Sequence, residues 1–165
     1  MPNSINQLWM KKIMSKQEPI KIYTDGASRS NPGQAGAGVY IFIPITASES
    51  GKEKEVEIAV YLGETTNNQA EYRAALLALR WLNNHQSELA SDSKIEMFLD
   101  SQLVVKQINK EWKIKHAALA KIAEQCWQEI SDLPHSIELS HVRREKNKKA
   151  DSLANLAIDE FEKVK

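Results

Sequence analysis

The stretch Ile20-Lys21-Ile22-Tyr23-Thr24-Asp25, followed by Gly26-Ala27-Ser28 and Asn31-Pro32-Gly33, decides the architecture. Ile20–Thr24 alternates apolar and polar residues and reads as a short strand. Asp25–Gly38 is rich in Gly, Ser, Asn and Pro and reads as a turning segment. Beyond it, Val39–Ile43 is a β-branched and aromatic run, hence a second strand. The polar Thr46–Lys54, with Gly51, suits a hairpin loop. Val56, Ile58, Val60 and Leu62 alternate with Glu57, Ala59 and Tyr61 as a third strand. Thr65-Thr66-Asn67-Asn68 supplies helix N-cap residues, and behind them Tyr72, Ala75, Leu76, Leu79 and Leu82 recur at helical spacing. Ile95, Met97 and Leu99 make a fourth strand. Ser101–Ile108 and Ala117–Ile130 are helical, and Ile137–Val142 is a fifth strand. Asn147 opens a last helix carrying Leu153, Ala154, Ala157, Ile158 and Phe161. The order β-β-β-α-β-α-α-β-α defines an α/β protein. Short links make the first three strands an antiparallel meander. The fourth and fifth follow helical segments and can run parallel to the first through right-handed crossovers.

The chain has 165 residues, which suits one domain with a single core. That domain is expected over 19–165, behind a flexible tail over 1–18 in which a short amphipathic helix could form around Ile5–Ile13. Lys and Arg total 22, as do Asp and Glu, so the net charge is zero and any polyanion must be held by local patches. The lone Cys126 excludes an internal disulfide and fits a reducing compartment, so a cytoplasmic location is expected. No apolar run is long enough to span a bilayer, and no membrane partner is expected.

Four acids fall where this order would gather them. Asp25 and Asp100 end the first and fourth strands, and Glu71 and Asp151 lie in the first turns of the first and last helices. If the first and fourth strands are neighbours, their carboxyl ends define the crevice where open α/β sheets bind ligands. Carboxylates gathered this closely repel unless divalent cations resolve them. Hard oxygen donors select Mg²⁺, with Mn²⁺ as an alternative, and no Cys/His cluster competes for zinc. Two such ions can assist an in-line phosphoryl displacement. Each acid also has a plain structural reading. Asp25-Gly26 is an ordinary turn pair, Glu71 and Asp151 complement helix dipoles, and Asp100 could be an N-cap.

The surroundings of these acids resemble ribonuclease H type I. Four blocks carry the likeness in order: Asp25-Gly26-Ala27-Ser28 with Asn31-Pro32-Gly33 and Gly36-Ala37-Gly38; Thr65 through Glu71; Leu99-Asp100-Ser101-Gln102; and Asn147 through Ala154. They span about residues 20–160. The resemblance implies a five-stranded mixed sheet, strand order 3-2-1-4-5, with helices on both faces. It implies a monomeric endonuclease that cuts the RNA strand of an RNA/DNA hybrid, leaving 5′-phosphate and 3′-hydroxyl ends, with Asp25, Glu71, Asp100 and Asp151 holding two Mg²⁺ ions. By the same resemblance Asn31, Asn68 and Gln102, with the backbone around Gly26–Ser28, match positions that read the RNA strand. Thr66 and Asn67 match a pocket for a DNA phosphate. Capping is the structural alternative for Asn67 and Asn68.

The sequence departs from the family pattern in three places. Many bacterial members carry a basic handle before the fifth strand, and here Ile108 runs to Ala117 with only Lys106, Lys110, Lys113, Lys115 and His116 as a partial substitute. His116 resembles a phosphate-contacting position. The family's loop histidine aligns with His141 by counting back from Asp151. Anchoring on the strand instead puts His141 inside it and leaves a shortened loop with no histidine and with Arg143, Arg144 or Glu145 in that space, which is the favoured alignment. Glu64 stands where some relatives have a basic residue. Arg143, Arg144, Lys146, Lys148 and Lys149 form the densest basic cluster, beside Asp151, and suit backbone phosphates. The competing readings are a DNA-cutting nuclease of the same fold, a silent hybrid-binding module, and an interaction domain that uses the tail.

Overall fold

The computed structural model describes residues 4–14 and 17–164. A helix, α1 (Ser4–Met14), precedes the domain, and its Ile5, Leu8, Trp9 and Met10 are all exposed. Gln17 is tied to the domain, since its Nε2 donates to Asp92 Oδ1 at 2.9 Å. Then come β1 (Ile20–Ser28), β2 (Gly33–Ile43), β3 (Lys54–Thr65), α2 (Asn67–Asn84), β4 (Ile95–Leu99), α3 (Gln102–Ile108), α4 (Ala117–Asp132), β5 (Ile137–His141) and α5 (Lys148–Lys163). The sheet order is β3-β2-β1-β4-β5, as expected. β1, β2 and β3 pair antiparallel, and β4 and β5 run parallel to β1.

The core lies between one sheet face and α2, α3 and α4. Ile20, Ile22, Val39, Ile41, Met97 and Leu99 from the strands meet Leu79 and Leu82 of α2 and Leu119 and Cys126 of α4. α5 packs on β2 and its neighbours from the other face. Among the described residues, no helix is long and apolar enough to cross a membrane.

Three sequence expectations change. The Gly-rich stretch does not turn throughout: β1 continues to Ser28 and β2 starts at Gly33, leaving a tight connection between them. Asp25 is therefore inside β1, not at its end. The glycines there serve close packing. A Cβ on Gly38 would lie 2.1 Å from Ala150 O, and one on Gly36 2.3 Å from Ala154 O, so α5 rests directly on the strand backbone. Glu71 is the fifth residue of α2, in its second turn, because the helix starts at Asn67 behind Thr66 as N-cap. Thr46–Lys54 is more than a hairpin loop. It holds a turn of 3₁₀ helix over Ile45–Ala47 and a bridge from Ser48 to Leu89.

Candidate active site

Parallel pairing of β1 with β4 ends at Thr24 and Leu99, so Asp25 and Asp100 emerge side by side immediately beyond it. This is the point where the strand order reverses direction, the place where open α/β sheets bind ligands. Glu71 arrives from α2 because Gly26 has no side chain. A Cβ there would lie 2.1 Å from Ala70 C and 2.2 Å from Glu71 N. One carboxylate oxygen each from Asp25, Glu71 and Asp100 lies within 4.8 Å of the others. Ser101, not Asp100, caps α3, its Oγ accepting from Val104 N at 3.3 Å, which leaves the Asp100 carboxylate free of that duty.

Asp151 sits in the first turn of α5 and lines the same crevice of about 440 Å³, outside the tight group of three. Its placement relative to Asp25 depends on the buried Asn147, 1% exposed. Asn147 does not cap α5 with its side chain; instead its Nδ2 donates to Thr24 O at 2.9 Å, joining the start of α5 to the residue before Asp25. Asn155 Nδ2 in turn donates to Asp151 O at 3.0 Å and to Asp151 Oδ1 at 3.3 Å.

The electrostatics are those of an over-crowded acid cluster. Burial, reinforced by the charge of Asp100, pushes the Asp25 carboxyl up to about 8. Burial, then the charges of Asp25 and Asp100, hold Glu71 well above the usual carboxylate range. Glu71 Oε2 is buried with no hydrogen-bond partner. A buried carboxylate oxygen without a donor is costly unless a cation meets it. An all-oxygen, all-anionic donor set fits a hard divalent ion such as Mg²⁺ or Mn²⁺.

The other expected site residues divide. Gly26, Ser28, Asn67, Asn68 and Arg144 line the crevice with the acids. Ser28 Oγ donates to Thr65 O at 3.0 Å, tying the end of β1 to the approach of α2. Asn31, Thr66, Gln102, His116 and Arg143 lie outside the crevice lining. Asn31 Oδ1 accepts from Asn67 N at 3.1 Å, bracing the β1–β2 connection against the start of α2. Thr66 Oγ1 is engaged as the cap, accepting from Gln69 N at 3.2 Å. Gln102, Arg143 and His116 are exposed, and His116 precedes α4 as its N-cap residue. His141 is the last residue of β5, paired with Leu99 and exposed. Lys149 does not join its basic neighbours. It pairs with Glu57 at 2.6 Å and lies over the Tyr40 ring. Glu64 is exposed on β3 opposite Gln34. Sequence reasoning missed Asn155; its only signal was a polar residue one helical turn after Asp151.

The RNase H family profile matches residues 17–159, nearly the whole described domain. The chain belongs to the RNase H family. Among solved relatives of this RNase H chain, LC11-RNase H1, crystallised in complex with an RNA/DNA hybrid, is 38% identical with a TM-score of 0.74, covering 86% of this chain and 98% of that one. RNase H1 of Halobacterium salinarum is 33% identical with a TM-score of 0.72, covering 87% and 99%. Ribonuclease H of Alcanivorax borkumensis is 34% identical over 149 residues, 86% of this chain and 93% of the relative. A bifunctional protein of Mycobacterium tuberculosis is 36% identical over 140 residues, 85% of this chain but 35% of that protein. The chain thus spans about a third of the length of the first curated relatives it matches.

Proposed function

We propose that this chain is a type I ribonuclease H that hydrolyses the RNA strand of RNA/DNA hybrids and leaves 5′-phosphate and 3′-hydroxyl ends. The observation that carries the reading is the convergence of Asp25, Glu71 and Asp100 oxygens within 4.8 Å at the sheet's switch point, with Asp151 beside them. Family membership and the hybrid bound to LC11-RNase H1 support the substrate class. Asp25, Glu71, Asp100 and Asp151 would hold two Mg²⁺ ions, with Mn²⁺ as an alternative. Ions bound there would supply Lewis-acid stabilisation of charge on the phosphate oxygens. The carboxyls of Asp25 and Glu71, protonated more readily than usual when metal-free, would have to give up those protons for a metal to bind. Ser28 and Asn68 line the crevice where an RNA 2′-hydroxyl is the distinguishing handle, and Arg144 sets positive charge at its edge. One chain contributes all four acids, so a monomer suffices. A cytoplasmic location belongs to the same proposal and rests on the free, buried Cys126. The test is Asp100→Asn. The variant is expected to keep the wild-type circular dichroism and lose hybrid cleavage, whereas full activity would refute the assignment.

A further inference from the structure

The connection between α3 and α4, residues 109–116, has no regular structure, yet it is fastened at every turn. Gln107, buried at 6% exposure, uses both ends of its amide. Its Oε1 accepts from the Tyr72 hydroxyl at 2.8 Å, and its Nε2 donates to Lys113 O at 3.1 Å. Glu111 N and Trp112 N both donate to Lys106 O, at 2.9 and 3.1 Å. Asn109 Nδ2 donates to Leu139 O at 3.1 Å, and Lys110 Nζ sits 5.0 Å over the Trp127 ring. Lys110 adopts the left-handed backbone, φ 62°, that this tight path requires. Tyr72 is fully buried and is the residue after Glu71. A closed relay therefore runs from the helix that carries a metal-site acid, through Tyr72 and Gln107, to the strap backbone.

The strap's own charges fall into two groups. Lys106 is paired with Glu111 at 2.6 Å, and Lys110 is engaged with Trp127. Lys113, Lys115 and His116 are exposed. Resting on the hybrid-nuclease reading, we propose that Tyr72 and Gln107 are positioning residues. They hold the strap in one pose relative to Glu71, so that Lys113, Lys115 and His116 meet the phosphodiester backbone of the hybrid in register with the carboxylates. A strap held before binding keeps the ordering cost out of the association step. That supports backbone contact without a longer basic insertion. Buried and fully paired, the relay also breaks as a unit: removing either partner strands a polar group of the other.

The experiment uses the full chain with Tyr72→Phe and Gln107→Met, measuring hybrid kcat and KM together with amide hydrogen exchange over 109–116. Exchange in the strap is expected to rise by about tenfold or more. KM is expected to rise roughly threefold to tenfold while kcat stays within about twofold. In a Lys113→Ala/Lys115→Ala background the KM effect should largely vanish, because the contacts being positioned are gone. Faster exchange with unchanged KM would overturn the binding role. A fall in kcat at constant KM would mean that the pair positions Glu71 and not the strap. Unchanged exchange would overturn the relay itself. If Gln107→Met fails to fold, Tyr72→Phe, which deletes one oxygen, carries the test. A wild-type chain that cannot cleave the hybrid would instead overturn the nuclease reading, and strap exchange would still judge the relay.

Discussion

Gly26→Ala tests how β1 and α2 assemble the acid cluster. A Cβ at position 26 would lie 2.1 Å from Ala70 C, while ordinary contact begins near 3.4 Å. Along that line the two backbones must part from 2.1 Å to at least 3.0 Å, below which real Cβ atoms essentially never approach. Both obstacles are main chain, so no side-chain rotation relieves the clash. Overpacking of this kind costs about 1–3 kcal/mol. For a chain of this size each kcal/mol lowers Tm by about 2–4 °C, so the melt should fall by roughly 2–12 °C. The same displacement carries Glu71 away from Asp25 and Asp100. A misplacement of about 1 Å in a reacting constellation costs on the order of 100-fold in rate. Thermal melts in EDTA read the first effect. Hybrid cleavage with saturating Mg²⁺ and a calorimetric Mg²⁺ titration read the second, and weaker metal binding is expected. A variant that melts within about 1 °C of wild type and cleaves within about twofold would refute the close approach as the device that builds the site.

Metal-free protein should lose stability as pH rises. Asp25 is raised from 3.8 to about 8 and Glu71 moves the same way, so between those limits the folded state holds protons that the unfolded state has released, and the slope is negative. Melts in EDTA from pH 4 to 8 should show that decline, and a rise over this window would contradict it. Asp100→Asn should raise Tm in EDTA at pH 8: Asp25 is then about half ionised, and two unit charges within 4.8 Å repel by about 3.5 kcal/mol or more at an effective dielectric of about 20, a fraction of which is relieved. A lower Tm would argue against a repulsive cluster. Cys126, its thiol pushed up to about 12 mainly by burial, should resist a thiol reagent in the native state and react only on unfolding.

The order of strands and helices along the chain was readable because it rests on local pattern, while the strand order in the sheet came from the family resemblance. Alternation in Val56–Leu62 and helical spacing in Tyr72–Leu82 are properties of short windows. The glycines of 26–38 were misread for a reason of the same kind. Gly in a window signals a turn, but at Gly26, Gly36 and Gly38 it admits a helix backbone 44 or more residues away in the chain, for example Ala150 O against Gly38. Tyr72 reads as core by period, and it is core, but its hydroxyl finds Gln107 only after folding. Asn147 reads as a cap, yet its amide turns to Thr24 O, a partner that sequence spacing cannot reveal. Lys149 likewise sits in a basic run and is claimed by Glu57. Such residues carry tertiary roles that composition and periodicity do not encode.

The central claim is tested most directly by incubating the chain with an RNA/DNA hybrid labelled on either strand, beside matched RNA and DNA duplexes, with Mg²⁺, Mn²⁺ or EDTA. The four-carboxylate site predicts cutting of the RNA strand of the hybrid alone, only when divalent metal is present, with 5′-phosphate and 3′-hydroxyl products. An uncut hybrid in Mg²⁺ and Mn²⁺, or cutting that survives EDTA, would contradict it.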